Sequence, residues 1–240
     1  MAQQNFNMEE TALVKLTQSV EVKSMPERDS LQVTICASFV IEPLQDYLDY
    51  WSKEFGLNIN LSFAPYNQVF QQLLNPQSLF NQAKGLKILF IRIEDWLRDL
   101  TGTTISEQHH FLTQTYSEFA GAINQARKNT GVPLLIGIVP LSPSHSFSSE
   151  IAASIAEMNR ELEAALREIP SFYLLDLSKI ATLYAIEETF DPKSDELGHM
   201  PFTPEYYAAL GTFLTRKVRA YKTPSYKVIA LDCDNTLWKG

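Results

Sequence analysis

The segment KILFIRI, Lys87–Ile93, is a nearly continuous apolar run that predicts a strand buried on both faces. Runs of the same kind are LQVTICA at 31–37 and PLLIGIVP at 133–140, and shorter strand patterns are NINLSFA at 58–64 and FYLLDL at 172–177. Strands that are apolar throughout, instead of alternating, are typical of parallel sheets covered by helices on both faces. The sequence therefore predicts a mainly parallel sheet.

Helical patterns separate or follow these strands, at 41–55, 67–74, about 106–129, 148–169 and 203–222. The last pattern begins with Thr203 as the expected N-cap and Pro204 at the first helical position. Because strands alternate with helices about five times, we expect an α/β domain at 31–222 with a doubly wound sheet between two helical layers, a three-layer α/β/α architecture. Ligands of such domains gather at the carboxyl ends of the strands.

The amino-acid composition and net charge argue against some classes of binding partner. The chain has 240 residues and a net charge of −8, which argues against a nucleic-acid partner or an anionic membrane surface. Its two cysteines, Cys36 and Cys233, are too few for a disulfide scaffold and fit a reducing compartment. The N-terminus lacks the pattern of a secretory signal, and no stretch approaches the ~20 apolar residues of a membrane span. We expect a soluble cytoplasmic protein with no membrane or nucleic-acid partner.

The chain divides into three predicted parts: a polar segment at 1–30, the α/β domain, and a final strand with its loop at 226–240. In the last part, VIALDCDNTLWKG places Asp232 and Asp234 at the carboxyl end of a strand, where residues two apart project the same way. Two such carboxylates suit Mg²⁺, or one can attack phosphorus while the other handles a proton. The alternative is a surface turn rich in Asp and Asn.

A buried strand followed by DxDxT resembles the first motif of the haloacid dehalogenase (HAD) superfamily of phosphotransferases, and LDCDNTLWKG, 231–240, is similar to its FkbH-like branch. Three upstream segments also resemble FkbH-like proteins: ASFVIEPL at 37–44, APYNQVFQQLLNPQSLF at 64–80 and LGHMPFTPEYYAALGTFLTRKVRA at 197–220. The resemblance covers the chain from about residue 31 to its end. Four segments in one order are more specific than a single DxD motif.

The resemblance implies a protein of polyketide assembly that takes a glyceryl unit from 1,3-bisphosphoglycerate, a small phosphorylated three-carbon substrate, removes its phosphate and loads it on an acyl carrier protein. It implies Asp232 as the nucleophile, Asp234 as the acid/base, both as Mg²⁺ ligands, and Thr236 as a phosphate-positioning residue. Cys233 would carry the glyceryl group as a thioester, or is a small buried side chain. The later residues of a HAD site do not follow in this sequence. We therefore expect no phosphatase activity from the chain itself, whose α/β domain would act as scaffold or carrier-recognition domain.

The α/β domain is also similar in layout to the SGNH hydrolases, which have a flavodoxin-like sheet. By that resemblance Ser38 would be the nucleophile and His199 its base, with Glu196 or Asp195 orienting the imidazole, which gives an esterase as the alternative function. A serine at a strand-to-helix turn can also use backbone N–H groups as an oxyanion hole. Asn67 is a weak candidate for the missing side-chain donor.

Departures from the SGNH pattern leave other interpretations open. The serine stands in CAS instead of GDS, and the third strand ends in IEDWL without an asparagine. Ser38 could cap the helix expected near Glu42, and His199 could bond the loop before Thr203. Glu94, Asp95 and His145 also follow predicted strands at the carboxyl edge and are weaker candidates, whereas His109 and His110 suit a solvated helix face. A third possibility is an interaction domain without site chemistry.

Overall fold

Five parallel strands form the centre of the computed structural model, which describes residues 30–129 and 131–223, with the backbone alone at 127–129. The strands are β1 Leu31–Ala37, β2 Ile59–Phe63, β3 Leu86–Ile91, β4 Leu134–Ile138 and β5 Phe172–Leu175. Their order across the sheet is β2-β1-β3-β4-β5, and every pairing is parallel. The strand order reverses at β1, as in flavodoxin-like sheets. The predicted α/β class and doubly wound, SGNH-like layout are confirmed.

Helices pack on both faces of this sheet. The described helices are α1 Leu44–Glu54, α2 Val69–Leu74, α3 Leu79–Gln82, α4 Ile105–Asn129, α5 Ser149–Arg167, α6 Ser178–Leu183, α7 Pro192–Gly198 and α8 Pro204–Lys222, together with a 3₁₀ helix at Ile93–Leu97. Within this part of the chain, no helix is long and apolar enough to cross a membrane.

Strand β3 shows why the sheet needs both helical layers. All six of its residues are buried. Ile88 and Phe90 belong to the cluster that includes apolar residues of α1 and α8, whereas Leu89 and Ile91 belong to the cluster that includes α4 and α5. Burying a side chain of this size contributes roughly 1.5–3 kcal/mol, so neither face of the strand can be left in water without a large loss. The continuous apolar run thus produces the three-layer architecture.

The structure differs from the sequence interpretation after β3. The KILFIRI pattern predicts a strand to Ile93, but β3 ends at Ile91 and the 3₁₀ helix begins two residues later. Arg92 between them is extended, with φ −126° and ψ 104°. The tight helix turns Glu94 and Asp95 across the carboxyl edge of the sheet instead of letting them continue along the strand.

Helix α7 also lies at this edge, and it was not predicted from the sequence. Its start follows ordinary capping rules, because the Asp191 side chain accepts hydrogen bonds from the backbone of Lys193 and Ser194, and Pro192 opens the helix. The predicted cap of α8 is confirmed: the Thr203 hydroxyl accepts from the Tyr206 backbone N–H at 3.2 Å.

The described fold begins at β1 and ends at α8, Leu31–Lys222. The predicted N-terminal segment lies outside the described residues except for residue 30, and the predicted final strand and its loop at 226–240 lie wholly outside them. Those two parts of the domain organisation stay predictions.

Packing of α1 against α8 leaves no room for a side chain at Gly211. A Cβ there would lie 2.6 Å from the Tyr47 Cβ, an atom fixed close to the backbone of α1. We therefore expect Gly211→Ala to lower the free energy of unfolding by about 1–3 kcal/mol, as over-packing of cores does. Urea denaturation measures the change.

Gly121→Ala is the matched control, because Gly121 also lies inside a helix and its Cβ would meet no atom within 4 Å. Helix propensity alone then acts, and the same substitution should stabilise by up to about 1 kcal/mol. Equal effects of the two substitutions would contradict the close packing of α1 and α8.

Candidate functional site

A polar cavity of about 430 Å³ opens at the carboxyl edge of the sheet. Its walls come from the segment after β3, from the loop after β4 at 142–147, and from α7 with the residue that follows it. This is the edge at which doubly wound domains bind ligands, and it is the edge at which the sequence predicts a site.

Ser38 follows β1 beside this cavity but is closed off from it. The residue is 2% exposed and does not line the cavity. Its Oγ donates to Asp95 Oδ2 at 2.7 Å and accepts from the Arg92 backbone N–H at 3.1 Å. The hydroxyl therefore has its donor and one acceptor position occupied by the segment after β3.

Asp95 is the centre of a charge network that we define as Arg92, Glu94, Asp95, Arg98 and Asp195. Asp95 Oδ1 lies 2.6 Å from Arg98 Nη2 and 3.5 Å from Arg92 Nη1. Asp195, on α7, binds both arginines: it pairs with Arg92 Nη2 and lies 3.0 Å from Arg98 Nη2. Glu94 accepts from Arg92 Nε. The network joins the segment after β3 to a helix about 100 residues later, since the Arg92–Asp195 contact spans 103 positions.

Burial and charge act against each other in this network. Burial raises the pKa of the Asp95 carboxyl above its ordinary value, and the charges of Arg92 and Arg98 oppose that rise. Burial likewise raises the pKa of Glu94, against the opposing effect of Arg92. For Arg92, burial would lower the pKa, but the hydrogen bond with Asp195 and the neighbouring carboxylates raise it, so the guanidinium stays charged.

His199 ends α7 in a left-handed conformation, with φ 57°. Its backbone oxygen accepts from the Val40 N–H at 2.9 Å, and its ring stacks parallel to Tyr66 with centroids 5.1 Å apart. The ring Nδ1 contacts Arg98 Nη1. Because a guanidinium can only donate, Nδ1 must accept, and a neutral imidazole then carries its proton on Nε2. This tautomer has no free basic nitrogen for a serine.

The structure does not bring the predicted esterase residues together. Ser38 bonds Asp95, whereas His199 bonds Arg98, and no hydrogen bond joins Ser38 to His199 in the described part of the chain. Asp195 pairs with the arginines instead of the imidazole. Glu196 lines the cavity and is exposed. The predicted catalytic roles therefore have no assembled geometry here.

The structure also bears on Asn67, on Ser38 as a helix cap, and on His199 as a partner of the loop before Thr203. Asn67 is exposed, with φ 53°, and does not line the polar cavity. Ser38 does not cap α1, which begins at Leu44 after Pro43 and has no side-chain cap. The His199 ring contacts Arg98 instead of the loop before Thr203.

Several weaker candidates are at the predicted edge. Glu94 and Asp95 belong to the charge network, and His145 lines the cavity with its ring stacked on Phe147 at 5.8 Å.

His109 and His110 are exposed on α4, as expected for a solvated face. Cys36 is buried in β1, and burial raises the pKa of its thiol to about 12, so it is chemically inert.

The residues of the DxDxT motif lie outside the described residues. The roles of Asp232, Cys233, Asp234 and Thr236 therefore stay predictions, and so does the Mg²⁺ site. Among residues 30–129 and 131–223, no group of three or more His, Cys, Asp or Glu side chains could hold a metal ion.

Arg92, Arg98 and Tyr66 are the site residues that sequence reasoning missed. Arg92 stands inside the strand pattern KILFIRI, and Arg98 follows in IEDWLR. Their signal was the alternation of basic and acidic residues directly after a buried strand, because charges at that edge need partners once the helices cover it. Tyr66 carried no comparable signal.

No family model and no curated protein matches the chain. Among solved structures, it is similar to the N-terminal part of the protein BF1531 from Bacteroides fragilis, described as containing a phosphatase domain and complexed with Mg. The TM-score is 0.66 at 18% identity, and the alignment covers 88% of this chain and 57% of that one. The chain thus spans little more than half of that structure, and the likeness at this identity is one of fold.

Two further structures align with lower scores. One is a GDSL-like lipase from Bacteroides thetaiotaomicron, with a TM-score of 0.47, 14% identity, and coverage of 91% of this chain and 97% of that one. The other is the salicylyl-acyltransferase SsfX3 from a tetracycline biosynthetic pathway, with a TM-score of 0.49, 15% identity, and coverage of 83% and 56%. Both scores are below 0.5, and neither likeness carries a functional inference.

Removing the Asp95 carboxylate should destabilise the fold, because Arg92 and Arg98 would be left partly buried without their central counter-charge. We expect Asp95→Ala to lower the free energy of unfolding by about 3–5 kcal/mol, the usual loss when one partner of a buried ion pair is removed. Chemical denaturation followed by circular dichroism measures it.

Glu157→Ala is the control, since Glu157 pairs with Arg160 on the surface of α5, where the two side chains are 53% and 72% exposed. The loss there should stay below about 0.5 kcal/mol. A loss for Asp95→Ala as small as that of the control would mean that the network does not hold the carboxyl edge together.

Proposed function

We propose that this chain is the N-terminal portion of an FkbH-like enzyme of the HAD superfamily, and that its α/β domain recognises a carrier protein instead of hydrolysing an ester. The observation that carries this proposal is Ser38, which is 2% exposed and bonded to Asp95 and to the Arg92 backbone. The FkbH-like assignment rests on the resemblance of the final motif and three upstream segments. The fold shared with part of a protein that contains a phosphatase domain supports it.

The chemistry of ester cleavage explains why the burial and bonding of Ser38 argue against hydrolysis. A serine nucleophile needs a base that takes its proton and a path for the substrate carbonyl to reach Oγ. Asp95 accepts a hydrogen bond from the Ser38 hydroxyl, but both of its carboxylate oxygens are engaged, Oδ2 by Ser38 and Oδ1 by Arg98 at 2.6 Å. His199 is engaged by Arg98. With Oγ buried, neither requirement is met.

The polar cavity itself suits a neutral hydrogen-bonding group better than a phosphate. Both arginines of the charge network are matched by Glu94, Asp95 and Asp195, and Glu196 adds a further exposed acidic side chain to the wall. A phosphate would meet an excess of acidic groups in a space where like charges repel strongly. The groups left for a ligand are the serine hydroxyls at 142, 144 and 146, the imidazole of His199, and two buried nitrogens without a hydrogen-bond partner in the described part of the chain, Arg92 Nη1 and His145 Nδ1. These suit the amide and hydroxyl groups of a carrier protein's prosthetic arm.

The phosphorylated three-carbon substrate then belongs to the HAD motif. By resemblance, Asp232 would be the nucleophile, Asp234 the acid/base, Thr236 a phosphate-positioning residue and Cys233 the carrier of the glyceryl thioester. Two carboxylates one residue apart are a donor set that fits Mg²⁺. When bound, Mg²⁺ would supply neutralisation of phosphate charge. The parent enzyme would take a glyceryl unit from 1,3-bisphosphoglycerate and load it on an acyl carrier protein in polyketide assembly.

A serine-directed probe tests the absence of hydrolysis. The folded chain is treated with a fluorophosphonate and its intact mass is measured, beside Ser38→Ala and His199→Ala controls. We expect no adduct, because Ser38 Oγ is buried and no free base contacts it. An adduct that both substitutions abolish would overturn the proposal and establish an SGNH-type esterase.

Carrier recognition is tested at Leu197, which is 77% exposed on α7 next to Glu196 of the cavity wall. An exposed leucine at the rim of a site is a suitable anchor for a partner. We expect Leu197→Ser to weaken binding to phosphopantetheinylated acyl carrier proteins by about tenfold, the effect of losing one anchor side chain, measured by isothermal titration calorimetry over a panel of carriers.

The matched control is Leu183→Ser on α6. Leu183 is 59% exposed, but its helix contributes no residue to the wall of the polar cavity, whereas α7 contributes three. Its substitution should leave carrier affinity unchanged. Equal affinities for the wild-type chain and both variants, or no binding of any carrier, would contradict a carrier-recognition surface at α7.

A further inference from the structure

Arg92 is a buried cation whose hydrogen-bonding groups are not all satisfied. The residue is 5% exposed, and a guanidinium carries five N–H donors and no acceptor. Its Nε donates to Glu94 and its Nη2 donates to Asp195. Its Nη1 lies 3.5 Å from the Asp95 carboxylate but makes no hydrogen bond with any described residue. Because an unbonded N–H group removed from water is unfavourable, Nη1 requires an acceptor.

The polar cavity is the place from which that acceptor can come. Arg92 lines its wall together with His145, whose Nδ1 is also buried without a hydrogen-bond partner in the described chain. The position of His145 is fixed, since its ring stacks on Phe147 and its backbone N–H donates to the Ser142 oxygen at 3.2 Å. Two buried nitrogens without partners in one wall indicate a ligand that bonds them.

The bonding groups of the wall restrict the chemistry of that ligand. The guanidinium can only donate, so the ligand must present an acceptor, whereas the Nδ1 of a neutral imidazole can either donate or accept. An anionic acceptor is disfavoured, because two arginines of the described wall face four carboxylates, those of Glu94, Asp95, Asp195 and Glu196. A neutral carbonyl oxygen meets these conditions. An amide adds an N–H group that a serine hydroxyl or a carboxylate of the wall can accept.

The cavity also opens beside the surface at which we propose that a carrier binds. Helix α7 contributes Pro192, Asp195 and Glu196 to the wall, and Leu197 follows them with 77% exposure. A carrier anchored at Leu197 would therefore bring its prosthetic arm to the cavity. A phosphopantetheine arm carries two amide groups beyond its phosphate, so its charged end can stay outside while an amide enters. A volume of about 430 Å³ is within the range of pockets that hold ligands of this size.

We propose that the polar cavity binds the amide portion of the arm, with a carbonyl oxygen accepting a hydrogen bond from Arg92 Nη1 and with His145 Nδ1 as the second contact. This inference rests on the proposed function and deepens it, because it makes the domain selective for carriers that bear the arm over carriers that lack it. Ser38 takes no part, since its hydroxyl bonds Asp95 and does not line the cavity.

Calorimetric titration with each carrier in its apo form, without the arm, and in its holo form tests this selectivity. We expect the holo form to bind at least about tenfold more tightly, the effect of one hydrogen bond to a charged group. His145→Ala should reduce that difference, because it removes one of the two contacts to the arm. His110→Ala is the matched control, since His110 is exposed on α4 and does not line the cavity, and it should leave both affinities unchanged.

The outcomes separate this inference from the proposed function. Equal affinities of the apo and holo carriers overturn the inference, and carrier recognition stands without it if Leu197→Ser still weakens the binding of both forms. If no carrier binds, the proposed function fails, and a titration with free pantetheine alone decides whether the cavity takes an amide.

Nuclear magnetic resonance performs that titration without any substitution of Arg92, which would break the charge network. Pantetheine is added to the full chain labelled with ¹⁵N in its arginine side chains. We expect the Arg92 Nη1 signals to shift until the ligand saturates, whereas the signals of Arg160, whose side chain is 72% exposed on α5, stay in place. Inorganic phosphate at the same concentration should not shift the Arg92 signals. No shift of these signals with pantetheine, or an equal shift with phosphate, overturns the inference.

Discussion

The buried carboxylate of Asp95 is the constraint on which the carboxyl edge of this domain depends. A carboxylate removed from water is very unfavourable unless charged and hydrogen-bonded partners surround it. Asp95 takes its partners from the end of β1, through Ser38, and from the segment after β3, through Arg92 and Arg98. The same arginines bind Asp195 and so fix α7. One buried charge thereby determines how three separate parts of the chain meet.

This constraint also supports the proposed absence of ester hydrolysis. The layout resembles that of an SGNH hydrolase, with a serine after the first strand and a histidine before the last helix. In this chain both residues form hydrogen bonds with the charge network, the serine with Asp95 and the histidine with Arg98. Groups that would activate a nucleophile are used to satisfy buried charges. The cavity keeps hydroxyl and imidazole groups at its surface, which are suited to holding a ligand without breaking it.

The two edges of the sheet have different physical characters. The carboxyl edge is polar and its charges are paired across the cavity wall. The amino edge carries a largely apolar cavity, lined by Leu86, Tyr173 and Tyr221 together with Lys217. In our proposed function a partner meets the first edge. A parallel sheet permits this division because all of its strands point the same way. Their amino ends therefore form one edge and their carboxyl ends the other.

Sequence by itself determined the architecture of this protein. Continuous apolar runs such as the one in β3 can be buried only between two helical layers, and the Thr203 cap and the carboxyl-edge position of Glu94 and Asp95 followed from local rules. Tertiary structure alone decided which polar groups pair. Whether Asp195 binds an imidazole or Arg92, 103 positions away, depends on where α7 is set against the sheet. A local sequence pattern predicts which residues within one helix or strand are buried. An ion pair between distant segments depends instead on how the whole domain packs.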